Sequence, residues 1–154
     1  MNQHNDVLPR TVNIVKLKMV REEKLGYNNI IYTAKDVVAL VRTQIQDSYR
    51  EMVLVVGVDI TNRPTVVHTV SLGGVSQADI SISSVFKPLL LSNSSAFFLI
   101  HNHPASTLAP STADKEITKR LKTIGEQLEI RMFDHLILNA DGSDYFSFKT
   151  QGLL

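Results

Sequence analysis

Cysteine is absent from the 154-residue sequence. That removes disulfides, thiolate metal ligands and a cysteine nucleophile together, so any metal must sit on His, Asp or Glu. An excess of one charge is lacking too. The 16 basic and 15 acidic residues leave a formal net charge of +1, too little to draw in a polyanion, and nucleic acid is not an expected partner. Long hydrophobic runs are missing as well. The most apolar stretches, residues 52–58, 89–91 and 96–100, fall far short of the roughly 20 residues a spanning helix needs. The start, Met1-Asn-Gln-His-Asn-Asp-Val7, has neither the positive beginning nor the apolar core of a secretory signal. The expectation is a cytoplasmic protein with no membrane partner.

With 44% hydrophobic and 20% charged residues, the composition is that of a globular domain. No repeat, low-complexity tract or Pro/Gly-rich linker divides the chain. We therefore expect one folded domain over residues 34–154, preceded by an extension, residues 1–33, that carries one strand. That strand lies within residues 12–20, where Val15-Lys-Leu-Lys-Met19 alternates.

Thr33-Ala-Lys-Asp36 resembles a capping box, and Val37, Val38, Leu40, Val41 and Ile45 recur behind it at helical spacing, predicting a helix over 34–48. Residues 51–60 are mostly apolar and β-branched, Thr61-Asn-Arg-Pro64 is a turn, and residues 65–70 return, which predicts a hairpin. Gly73-Gly74 breaks the chain. A second helix over 82–91 contains Pro88, whose missing N–H either kinks it or places it near an end. Ala96-Phe-Phe-Leu-Ile100 reads as a central strand buried on both faces, delivering His101 at its carboxyl end. Residues 112–128 carry Ile117, Leu121, Ile124 and Leu128 as one helical stripe. Residues 130–138 form a strand, Asn139-Ala-Asp-Gly142 a turn, and residues 145–148 a last strand. The class is α/β, a mixed β-sheet flanked by helices.

The chemistry concentrates in Ile100-His-Asn-His-Pro-Ala-Ser-Thr-Leu-Ala-Pro-Ser-Thr-Ala-Asp114. Two histidines at i, i+2 point the same way in extended backbone, so His101 and His103 can converge on one cation. Asp114, brought back by the loop between Pro104 and Pro110, can supply a third ligand, leaving a fourth position open, as in catalytic zinc sites. Taken singly, each residue has a plainer reading. A histidine at a strand end is more often a packing residue, and Ser111-Thr-Ala-Asp114 is a capping box that starts a helix unaided.

Taken together, these residues resemble the JAMM/MPN metallopeptidases: His101-x-His103, seven residues, Ser111, two residues, Asp114 matches HxHx(7)Sx(2)D at every specified position. The sequence is most similar to the RadC-like JAB branch, through His101-Asn-His-Pro104, Asp134-His-Leu-Ile137, Gly73-Gly-Val-Ser76, Tyr145-Phe-Ser-Phe148 and Gly152-Leu153. The resemblance implies a JAB/MPN (cytidine deaminase-like) fold, a Zn2+ cofactor and hydrolysis of an amide bond in a peptide or isopeptide substrate. It also implies that Glu51, just before Met-Val-Leu-Val-Val-Gly-Val-Asp59, is the base that takes a proton from the metal-bound water; alone, Glu51 would read as a solvated charge opening a strand. Ser111 would either donate to the oxyanion or only cap its helix.

The chain departs from the family where Ala105-Ser106 replaces the usual Ser-Gly, which bears on substrate fit. Longer RadC-like chains carry a helix-hairpin-helix module that residues 1–33 are too short to hold. Two other readings remain: a DNA-repair-associated protein and a metal-bound scaffold without turnover. A zinc nucleobase deaminase needs a cysteine pair and is excluded. Oligomeric state is not legible. His4, His68 and His135 are assigned to structure or solvent, His135 on an edge strand and the first to reconsider.

Overall fold

The computed structural model describes residues 16, 18–20, 26–27, 29–45, 49–72, 80–105 and 107–154. In chain order these form α1 (Ala34–Ile45), β1 (Met52–Val58), β2 (Pro64–Leu72), α2 (Ile82–Leu91), β3 (Ala96–Asn102), α3 (Thr112–Gln127), β4 (Arg131–Leu138) and β5 (Tyr145–Ser147). The strands make one sheet in the order β2-β1-β3-β4-β5, in which only β3 and β4 run parallel. The expected α/β class with a mixed sheet is what the chain adopts.

Alternation along the strands builds two cores. Leu54, Val56, Val58, Ala96, Phe98, Ile100, Leu136 and Leu138 face α1. Val53, Val55, Phe97, Leu99 and Met132 face α2 and α3. All seven residues of β3 are buried, as a strand covered on both faces requires. Helix α1 starts on its capping box: Thr33 Oγ1 donates to Asp36 Oδ2 at 2.9 Å, and Asp36 N–H donates back to Thr33 Oγ1 at 3.4 Å. Pro88 falls in the last turn of α2, where it cannot donate the helical hydrogen bond to the residue four earlier, and the helix ends three residues after it.

Two expectations are corrected. Of the strand expected over 12–20, Lys16 and residues 18–20 are in no strand and the rest lies outside the described residues. The Gly73-Gly74 break also lies outside them. The α3 stripe drifts: its buried residues are Ile117, Thr118, Leu121 and Gly125, while Leu128 is exposed. Finally, β4 is no edge strand, since β5 pairs with its other side.

Gly57 marks a close approach. A Cβ there would lie 2.2 Å from Ser94 Oγ and 2.9 Å from Leu89 Cδ2, inside the bond that joins Thr65 Oγ1 to Ser94 Oγ at 2.6 Å. Gly57→Ala is therefore expected to lower unfolding free energy by about 1–3 kcal/mol, the usual cost of overpacking, in urea titration. An unchanged midpoint would mean that this corner yields without strain.

Candidate metal centre

The end of β3, the residue before β1 and the start of α3 meet at one end of the sheet. Glu51, Val53, Ile80, His101, His103, Ser111 and Asp114 line a cleft of about 370 Å³ there. The pairing Val53↔His101 sets Glu51, two residues earlier, beside His103. Glu51, His101 and His103 each offer a ligand atom within 4.8 Å of the others. Asp114 Oδ1 lies 3.4 Å from His101 Nε2, and its Oδ2 lies 3.9 Å from His103 Nε2. All five residues singled out in the sequence thus border one space, and both acids stand within reach of the histidine pair.

Ser111 caps α3. Its N–H and hydroxyl donate to Asp114 Oδ2 at 2.7 and 2.6 Å, and Asp114 N–H donates to Ser111 Oγ at 3.1 Å. The carboxylate is thereby clamped on Oδ2 with Oδ1 turned toward His101. Asp114 serves as both helix cap and wall of the cleft, and the one Ser111 hydroxyl proton is committed to it.

Counting protons assigns the ring nitrogens. Thr118 Oγ1 donates its one proton to the Asp114 carbonyl, so at 2.6 Å it accepts from His135 Nδ1–H. His135 Nε2 is then a bare acceptor and takes the proton of His101 Nδ1, 2.9 Å away. His103 Nδ1 donates to the Thr107 carbonyl at 2.6 Å. With both imidazoles neutral, each turns a bare Nε2 into the cleft, and these two atoms are 2.9 Å apart. Two lone pairs at that distance repel, and a cation between them, beside a carboxylate, relieves the repulsion. The donor set fits a metal of the zinc type, with the Nδ1–H of each imidazole engaged as such ligands require.

Burial dominates the electrostatics. It holds the His101 imidazole down at about 4 from its ordinary 6.5, with His103 adding to the drop and Asp114 opposing it. Burial, then His101 and His103, pushes His135 well below its ordinary value too. His101 and His135 are therefore neutral near pH 7, and for His101 that is the form that binds metal.

His135 and Thr118 were not identified as site residues from sequence. Register explains the first: Phe97 pairs with Met132 but Phe98 with Asp134, so Phe133 is an extra residue. Such a bulge reverses the alternation and turns His135 toward His101 and α3. Its ring is fully buried and stacks on Phe148 at 4.6 Å between centroids. Asp134 accepts from His135 N–H, Lys149 N–H and the Ser147 hydroxyl, tying β4 to the C-terminal turn. Thr118 carried a signal, lying one helical turn after Asp114. His68 lies on β2 and is exposed, whereas His4, residues 73–76 and Ser106 lie outside the described residues. No helix among the described residues is long and apolar enough to cross a membrane.

Comparison with known proteins bears on the same region. Residues 31–153 match the family described as a RadC-like JAB domain. A UPF0758 protein of Histophilus somni is 34% identical over 122 residues, covering 79% of this chain and 54% of the relative. One from Trichlorobacter lovleyi is 40% identical over 111 residues, covering 72% and 47% respectively. One from Flavobacterium johnsoniae is 31% identical over 144 residues, covering 94% and 57%. The chain spans about half the length of the curated relatives it matches.

Proposed function

This chain belongs to the RadC-like JAB domain family, and from that premise we propose that it is a zinc-dependent hydrolase of a peptide or isopeptide bond. His101, His103 and Asp114 would hold the ion, and Glu51 would serve as the base. One observation carries the reading: the Nε2 atoms of His101 and His103 face each other at 2.9 Å, with Asp114 Oδ1 3.4 Å from the first. Bound there, zinc supplies a Lewis acid that polarises a carbonyl and brings the pKa of water to about 7.

The chain's own residues do the rest. Glu51 accepts the proton of the attacking water and returns it to the departing amine, a role worth roughly 10²–10⁴ in rate. The relay from Thr118 through His135 fixes the His101 tautomer, and the Thr107 carbonyl does the same for His103. Ser111 orients Asp114 before substrate arrives; to serve an oxyanion, its hydroxyl must first leave Asp114 Oδ2. A cytoplasmic setting and a peptide or protein partner belong to this same reading.

Purified protein should contain about one zinc per chain, as a single three-ligand site with one open position requires. It should cleave some members of a peptide and isopeptide panel, with activity removed by a chelator and restored by zinc. Protein that takes up no zinc would overturn the metal assignment. Zinc uptake without cleavage of any panel member would favour the scaffold.

A further inference from the structure

Asn102 stands between the two histidines and is fully buried. Where the imidazoles flanking it are turned toward the cleft, its amide reaches the neighbouring strand. The backbone ladder between β1 and β3 runs from Val58↔Ala96 to Val53↔His101, and beyond that pair the Asn102 side chain takes over. Its Oδ1 accepts from Met52 N–H at 2.7 Å, and its Nδ2 donates to the Arg50 carbonyl at 3.1 Å. Those two backbone groups bracket Glu51, which precedes the first residue of β1.

We propose that Asn102 is a positioning residue whose amide pins the chain on both sides of Glu51 and so holds that carboxylate against the His101–His103 pair. The inference rests on the proposed role of Glu51 as base. A buried amide must satisfy its polar atoms somewhere, and a residue serving only the sheet could do so on any pair of groups. Here both bonds flank Glu51, which brings a carboxylate oxygen within 4.8 Å of ligand atoms on both histidines from a strand other than the one that carries them. A single strand step thus sets the ligands and the base in one frame: moving β1 relative to β3 would move Glu51 and break the clamp together.

The test uses the full chain loaded with cobalt(II), which occupies N/O sites of this kind and has a visible absorption band. The readout is the pH midpoint of that band. In Glu51→Gln the midpoint should move by about one unit, the effect of removing a nearby carboxylate. Asn102→Leu, similar in size but without the amide, should move it in the same direction while keeping cobalt affinity within about tenfold, less than loss of a direct ligand support entails. In the double variant Asn102→Leu should add no further shift. A purely structural role would lower the thermal midpoint but leave the pH midpoint in place, or shift it equally with and without Glu51, and either result overturns the proposal.

If Asn102→Leu does not fold, Asn102→Gln keeps a neutral amide displaced by one methylene and should give a smaller shift, again absent in the Glu51→Gln background; a shift that persists there overturns the proposal too. Wild-type protein that takes up no cobalt would sink the metal reading and this inference with it. Cobalt uptake with an unmoved midpoint in the Asn102 variants would sink the inference alone.

Discussion

Glu51→Gln should keep its zinc and its unfolding transition while losing at least about 10²-fold in turnover, the low end for loss of a general base. Glutamine keeps the size and can still hydrogen-bond, but cannot accept the proton. The outcome matters because a Glu51 ligand atom lies within 4.8 Å of those of both histidines, close enough for direct ligation. Metal content separates the two roles. A variant that loses zinc makes Glu51 a ligand or the support of one, and a variant with near-full activity sends the proton elsewhere.

His101→Ala, His103→Ala and Asp114→Ala should each lose most of the bound zinc, because three protein ligands are the minimum for an open site. Asp114 carries a second effect. It closes the capping box on Ser111, so its removal should also lower stability by about 0.5–2 kcal/mol, the usual worth of a cap. Ser111→Ala gives the comparison, since it removes the hydroxyl of the cap and leaves the carboxylate. Elemental analysis of the four variants, beside thermal unfolding in the presence of a chelator, separates ligation from capping. A fully metallated Asp114→Ala protein would reduce that residue to a helix cap.

Much of this was legible in the sequence because the relevant signals are local. Helical spacing and a capping box located α1 (Ala34–Ile45), and an unbroken apolar run located β3 (Ala96–Asn102). His101, His103 and Asp114 were singled out by their spacing at a strand end and a helix start together with the resemblance to the JAMM pattern, and they line one cleft. What escaped depends on pairing. Whether His135 faces the cleft is decided by the extra residue Phe133, visible only when Phe97 and Phe98 are set against β4. Asn102 bonds to residues 50 and 52, and no periodicity in the chain announces a contact at that separation. The α3 stripe drifted at its C-terminal end because Gly125 packs where a Cβ would come within 2.5 Å of the Ile130 carbonyl oxygen, which displaces Leu128 outward.

The connection from β3 through α3 to the parallel strand β4 has a consequence for the order in which the site can assemble. His101, His103 and Asp114 all belong to this one crossover, while Glu51 arrives from a strand whose tie to Asn102 spans about 50 residues. Bringing His103 and Asp114 together closes a loop of only about 11 residues, roughly 1 kcal/mol less costly in chain entropy than closing one of about 50. On the proposed assignment, the half that holds the ion can therefore form during refolding before β1 is seated. A chain caught at that stage would hold its metal without a proton acceptor, and hydrolysis would begin only when the sheet is complete.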